Sequence, residues 1–71
     1  MNPTNPEAQE LLNRAFTLAC CAALFGNDAQ KASDEGRGGD AWAATELAVV
    51  VNRAALNLLT QAARTATKVP A

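Results

Sequence analysis

The chain of 71 residues has room for one domain, and a hydrophobic core of this size contributes only a few kcal/mol to stability. Its net charge of -1, with only six Lys and Arg residues, gives no electrostatic footprint for nucleic acid or an anionic membrane. Because the apolar share is 49% while aromatic residues make up 4%, the apolar content is mostly alanine, leucine and valine, which favours packed helices.

The first helix is predicted over residues 6–25. Asn5 is a favourable N-cap, Pro6 suits the first helical position, and Glu7 places a negative charge near the positive end of the helix dipole. Glu10 and Arg14 are spaced for an ion pair. The apolar residues recur at spacings of three and four and form one stripe, which comprises Leu11, Ala15, Leu18, Ala22 and Phe25.

A connecting loop is predicted over residues 26–40, because Gly, Ser and charged residues dominate this segment. Gly26 is expected to stop the first helix. As an alternative to loop, an extra helical turn stays open for residues 28–32 in two forms: they continue the first helix past Gly26, or they form a separate turn. Asp40 is expected to cap the second helix.

The second helix is predicted over residues 41–67, with Arg64 and Lys68 near its end, where the dipole favours cations, and Pro70 beyond it. Its polar stripe consists of Glu46, Arg53, Asn57, Thr60, Arg64 and Thr67. Its apolar stripe consists of Leu47, Val51, Ala55, Leu58, Ala62 and Ala66.

The usual stabilisers of a small domain are missing, so association with a second copy is expected. Cys20 and Cys21 are adjacent and cannot connect distant segments, and with no histidine present they cannot complete a zinc site, so no metal or cofactor is expected. Residues 18–25 are apolar on all sides, although one antiparallel helix covers only one side. The second helix is also expected to extend beyond the first by about a third of its length.

The predicted fold is therefore an all-α, antiparallel two-helix hairpin that dimerises into a four-helix bundle. The expected dimer interface comprises Leu18, Cys21, Ala22, Phe25, Leu47, Val50, Val51 and Leu58. The cysteine pair has two interpretations, a redox switch or intersubunit disulfide on the one hand and small residues that fill a helical interface on the other.

A second set of residues is expected to bind a different protein. Trp42 has two interpretations, an anchor for a partner or a core residue at the start of the second helix. The partner-binding candidates are Trp42, Val49, Arg53 and Leu56. No enzyme activity is expected, because the carboxylates lie mostly at helix starts or in the loop. The segment Gly36-Arg37-Gly38-Gly39 lacks the Gly-Lys-Ser/Thr ending of a phosphate-binding loop and is interpreted as a connector.

Three features of the sequence point to a known group of proteins: Leu11-Leu12, the recurring alanines of the first helix, and Trp42-Ala43-Ala44 after a polar loop. In these features the chain resembles small alanine-rich two-helix proteins of unknown function from pseudomonads and their phages. The resemblance spans residues 7–66. It implies a compact helical protein of a class whose phage-encoded members bind and block a host protein, such as a transcription factor, a motor ATPase or a defence complex.

Three functions are compatible with these features. The leading one is a non-enzymatic regulator or inhibitor that occupies a larger protein by helix-in-groove contacts. The alternatives are a structural or assembly subunit and a nucleic-acid-binding dimer, of which the latter is disfavoured by the charge. No membrane association is expected, because the longest apolar run, Leu18 to Phe25, is far short of the roughly 20 residues that span a bilayer. Residues 1–4 do not resemble a secretory signal, so a cytoplasmic location is expected.

Overall fold

The computed structural model describes residues 5–67, which fold into two α-helices and no strand. Helix α1 spans Pro6–Asp34 and helix α2 spans Gly38–Ala66, each with 29 residues. The expected all-helical hairpin is confirmed. Residues 1–4 and 68–71 lie outside the described range, and with them the expectations about a signal segment, Lys68 and Pro70.

The start of α1 agrees with the sequence prediction. The Oδ1 atom of Asn5 accepts hydrogen bonds from the backbone N–H groups of Glu7, at 3.0 Å, and Ala8, at 3.3 Å. These bonds satisfy two donors that have no partner within the helix. Pro6 occupies the first turn, where its missing N–H costs nothing.

The predicted end of α1 at residue 25 is wrong, because the helix continues through Gly26 to Asp34. The stripe of α1 residues that contacts α2 does not end at Phe25. It extends seven residues further, to Ala32, which is buried. Burial of that extra segment against α2 offsets the roughly 1 kcal/mol by which glycine weakens a helix interior. Residues 28–32 therefore take the first alternative and extend the helix.

The loop comprises residues 35–37, not 26–40, and Gly36 makes the turn. Gly36 has a φ of 76°, a left-handed conformation that glycine adopts without steric cost. Its N–H donates to the carbonyl of Ser33 at 3.1 Å, and the N–H of Arg37 donates to Ala32 at 2.8 Å. This pair of bonds is a Schellman motif, which satisfies the last carbonyls of α1.

The predicted cap of α2 is also wrong, since the N-cap is Arg37 and Asp40 lies within the first turn. The Arg37 guanidinium donates to the carboxylates of Glu35, at 2.6 Å, and Asp40, at 3.0 Å. These hydrogen bonds, the one to Glu35 foremost, raise the pKa of Arg37. The ion pair expected between Glu10 and Arg14 does not form. Every ion pair within residues 5–67 involves Arg37.

Alanine occupies every seventh position along the contact between the helices. We call this contact the alanine seam, and its members are Ala8, Ala15, Ala22 and Ala29 of α1 with Ala41, Ala48, Ala55 and Ala62 of α2. Larger half-buried side chains alternate with them, including Leu11, Leu18, Phe25, Val51 and Leu58. Ala15 is only 1% exposed, and all five fully buried residues of the described chain are alanines.

The contact stripe of α2 differs from the predicted one at both ends. Leu47 and Ala66 were expected in it but are exposed, whereas Ala44, Ala48 and Thr65 are half-buried. Two antiparallel helices that stay in contact over eight turns bring contact residues together every 3.5 residues on average. The predicted stripe followed the 3.6-residue period of a straight helix, so its ends lie off the contact.

The hairpin is 57 Å long, 19 Å wide and 12 Å thick. Since 12 Å is the diameter of one helix, both broad sides lie at the surface. The helices have equal length, so the expected overhang of α2 does not exist. Whether a second copy binds therefore depends on the residues that the two broad sides carry.

Candidate functional site

One broad side of the hairpin, which we call the uncharged face, carries no charged residue within the described chain. Its α1 members follow the alanine seam at fixed heptad positions and are Leu12, Phe16, Ala19, Ala23, Gly26, Gln30 and Ser33. Its α2 members are Trp42, Thr45, Val49, Asn52, Leu56 and Leu59. A continuous uncharged side is unusual for a chain in which 18% of residues are charged.

A groove of about 930 Å³ occupies the half of this face that is nearer the loop. Small residues, Ala19, Ala23 and Gly26 among them, line its α1 side. A Cβ atom added at Gly26 would meet no atom within 4 Å, so the groove is open at that point. Trp42 and Val49 line its α2 side.

Large apolar side chains on the uncharged face reach far into solvent. Trp42 is 73% exposed, Phe16 62% and Leu56 54%. Trp42 is therefore a surface residue, and the interpretation as a core residue is wrong. Exposed tryptophan beside a groove is the kind of residue that dominates binding energy at protein interfaces.

The opposite broad side, which we call the rimmed face, has an apolar centre with charged residues at both ends. Leu24 and Val50, each 63% exposed, and Leu47 form the centre together with half-buried Cys21. Towards the loop, a shallow depression is lined by Asp28, Lys31, Arg37, Asp40 and Leu47. Towards the open end, the same heptad positions carry Glu7, Glu10, Arg14 and Arg64. An apolar centre inside a polar rim is the anatomy of a protein interface.

The residues expected in a dimer interface fall into two groups. Leu18, Ala22, Phe25, Val51 and Leu58 are half-buried along the contact between α1 and α2. The remaining three, Cys21, Leu47 and Val50, lie together on the rimmed face.

Three of the four partner-binding candidates lie together on the uncharged face, namely Trp42, Val49 and Leu56. Arg53 is exposed on the outer edge of α2, away from both broad sides. Sequence reasoning missed Phe16 and left Leu24 and Leu59 out of both predicted surfaces, although all three are exposed large apolar residues. Their signal was their position outside the contact stripe, where a monomer would be expected to carry polar side chains.

Cys20 and Cys21 are both free thiols, the first exposed and the second half-buried. No three Cys, Asp or Glu side chains between residues 5 and 67 come together in a way that could hold a metal ion. Neither helix in this range combines the length and the hydropathy needed to cross a bilayer.

Comparison of the chain with known protein families, curated proteins and solved structures found no match.

Proposed function

We propose that this protein is a non-enzymatic, homodimeric binding protein that modulates or inhibits a larger protein by docking its uncharged face onto it. The observation that carries the proposal is the uncharged face itself, where a groove lies beside the exposed Trp42 and no charge interrupts the surface. Burial of such a surface is favourable because it removes apolar area from water without desolvating a charge.

The expected occupant of the groove is the apolar stripe of a helix from the larger protein. The small side chains of Ala19, Ala23 and Gly26 let a third helix approach closely, as ridges of one helix fit into grooves of another. The face extends from Leu12 to Ser33, which is about 30 Å and matches a helix of roughly 20 residues. Thr45 and Asn52 offer uncharged hydrogen-bonding groups beside the groove.

Homodimerisation into a four-helix bundle is the second part of the proposal, and the surface area supports it. The chain exposes 5437 Å². A monomer of 7.4 kDa is expected to expose about 4,200 Å², since surface scales with mass to the power 0.73. A standard interface buries about 800 Å² per partner, so a dimer would remove most of this excess.

The resemblance noted above extends the proposal to the identity of the larger protein, which would be a host regulator, a motor ATPase or a defence complex.

A structural subunit is the alternative function, and masses beyond a dimer in light scattering would favour it. A nucleic-acid-binding dimer is the second alternative. Binding to an oligonucleotide that falls steeply as ionic strength rises would favour that function, and no binding at low salt would exclude it.

The test uses wild-type protein and matched variants as baits in lysate, followed by affinity measurement with the purified partner. Trp42→Ala and Leu56→Asp should lose the partner that the wild type captures, because both change the uncharged face. Arg53→Ala, at the outer edge of α2, should keep it. A partner that binds Trp42→Ala and Leu56→Asp as tightly as the wild type would exclude the uncharged face as the docking surface.

A further inference from the structure

Four charged residues of α1 on the rimmed face are arranged with opposite signs at nearly equal distances from one point. Arg14, Cys21 and Asp28 follow one another at intervals of seven residues and therefore lie on one line along α1. Arg14 and Asp28 are each about 10 Å from Cys21 along the helix axis. On the neighbouring line, Glu10 and Lys31 lie about 15 Å on either side of the same point.

These four charged groups have no ionic partner within the described hairpin. The ion pairs of residues 5–67 join Arg37 to Glu35 and to Asp40. All four side chains are exposed. From Cys21 outwards, α1 therefore presents Arg14 and then Glu10 towards the open end, and the opposite signs in the same order towards the loop. Glu7 and Arg64 lie further towards the open end of this face.

We infer that the occupant of the rimmed face is a second copy of the chain, turned about a two-fold axis that passes beside Cys21 and Val50, perpendicular to the helices. This inference rests on the proposed homodimer and specifies its interface. The two loops then lie at opposite ends of a four-helix bundle, and α1 packs antiparallel to α1 of the partner subunit. In this arrangement Arg14 meets Asp28 of the partner subunit, and Glu10 meets Lys31 of the partner subunit.

The centre of the interface is apolar and closes around the axis. Val50 lies opposite its own copy, while Leu24 and Leu47, both exposed in the hairpin, become covered. Every helix has only antiparallel neighbours, so the helix dipoles attract rather than repel. Because the contact is isologous, each charge pair occurs twice in the dimer. The uncharged face remains on the outside of both copies, free for the larger protein.

Charge reversal with rescue tests the arrangement. Arg14→Glu should raise the dimer dissociation constant about tenfold, because two attractive pairs become repulsive. Arg14→Glu combined with Asp28→Arg should restore the wild-type constant, since each swapped charge again meets its opposite. Arg53→Glu is the matched control, because it changes the net charge equally on the outer edge of α2 and should leave the constant unchanged. Sedimentation equilibrium measures the constants, and circular dichroism checks that each variant is helical.

Native cysteines test the position of the axis independently. With copper phenanthroline as oxidant, Cys21 should form a disulfide with Cys21 of the partner subunit, because both thiols lie beside the two-fold axis. Cys20→Ser should keep this cross-linked dimer and Cys21→Ser should abolish it. A bundle with both loops at one end would place Cys21 opposite Val50 of the partner subunit and give no such cross-link.

The failures of this inference and of the proposed function are distinguishable. A wild-type monomer at all concentrations would overturn the proposed homodimer and this interface together. A dimer that tolerates Arg14→Glu but dissociates on Trp42→Ala would mean that two copies associate through the uncharged face instead. Failure of Asp28→Arg to rescue Arg14→Glu, in chains that remain helical, would overturn the assigned pairing.

Discussion

Asn5 donates a hydrogen bond from its Nδ2 atom to the backbone carbonyl of Thr65 at 3.3 Å, which joins the start of α1 to the last turn of α2. The Oδ1 atom of the same side chain caps α1. One residue thus closes the open end of the hairpin, as the Gly36 turn closes the other. Because no large side chain among residues 5–67 is fully buried, such end contacts are expected to contribute a sizeable share of the stability.

Substitution of this residue should separate its two roles. Asn5→Ala should lower the free energy of unfolding by about 1 kcal/mol, because it removes the cap. Asn5→Asp keeps an acceptor for Glu7 and Ala8 but loses the donor to Thr65, so its stability should lie between that of Asn5→Ala and the wild type. Urea denaturation at one fixed protein concentration measures both. Equal losses in the two variants would assign the whole effect to the bond with Thr65.

Gly36 should be the least replaceable glycine of the chain. Gly36→Ala should cost about 1 kcal/mol, because a Cβ atom is strained at its positive φ. Gly39→Ala is the matched control in the first turn of α2, where an added Cβ meets nothing within 4 Å. That variant should be neutral or more stable in thermal denaturation. A Gly36→Ala variant as stable as the wild type would argue against the left-handed turn.

Enlargement of the alanine seam should separate the helices. Ala15→Leu should destabilise the hairpin by about 1–3 kcal/mol, because a residue that is only 1% exposed has no space for three more carbon atoms. Ala63→Leu makes the same change at an exposed position of α2 and should alter stability by less than about 0.5 kcal/mol. Chemical denaturation of the two variants gives the comparison. Similar stabilities would contradict close contact at Ala15.

A charge within the contact between the helices should prevent folding. Leu18→Glu and Val51→Glu should each give an unfolded chain, because both side chains are half-buried between α1 and α2. Phe16→Glu, two residues from Leu18 but 62% exposed, should stay helical. Circular dichroism during heating distinguishes these outcomes. A cooperative melt of monomeric Leu18→Glu would show that the contact tolerates a charge.

Rules based on neighbouring residues predicted the start of α1 correctly, because interactions within one turn determine it. They failed at the end of α1, because contact with α2 determines where that helix ends. The start of α1 follows from Asn5 and Pro6, which act within one turn. The end of α1 does not follow from Gly26, because glycine stops a helix only when its backbone turns left-handed, as Gly36 does. The heptad repeat that continues from Ala22 to Ala29 was the sequence signal that the helix runs on.

The candidate surfaces were partly predictable for the same reason. Trp42, Val49 and Leu56 lie outside the contact stripe, so the sequence identified them as free to bind. Their placement on a face without charge needed the heptad assignment of both helices together. The proposed pairing of Arg14 with Asp28 of the partner subunit did not follow from the sequence, because the sequence suggested Glu10, four residues away, as the partner of Arg14.

The alanine seam determines which step of assembly removes the most apolar surface from water. Alanine has no rotamers to lose and little area to bury, so the seam itself should contribute little to the heat-capacity change of hairpin formation. In the proposed dimer, Leu24, Leu47 and Val50 leave water only when two copies meet, and their share of the heat-capacity change belongs to that step. Folding and association are then one equilibrium, and the melting temperature rises with protein concentration. The level at which a cell expresses the chain would itself decide how much of it is folded.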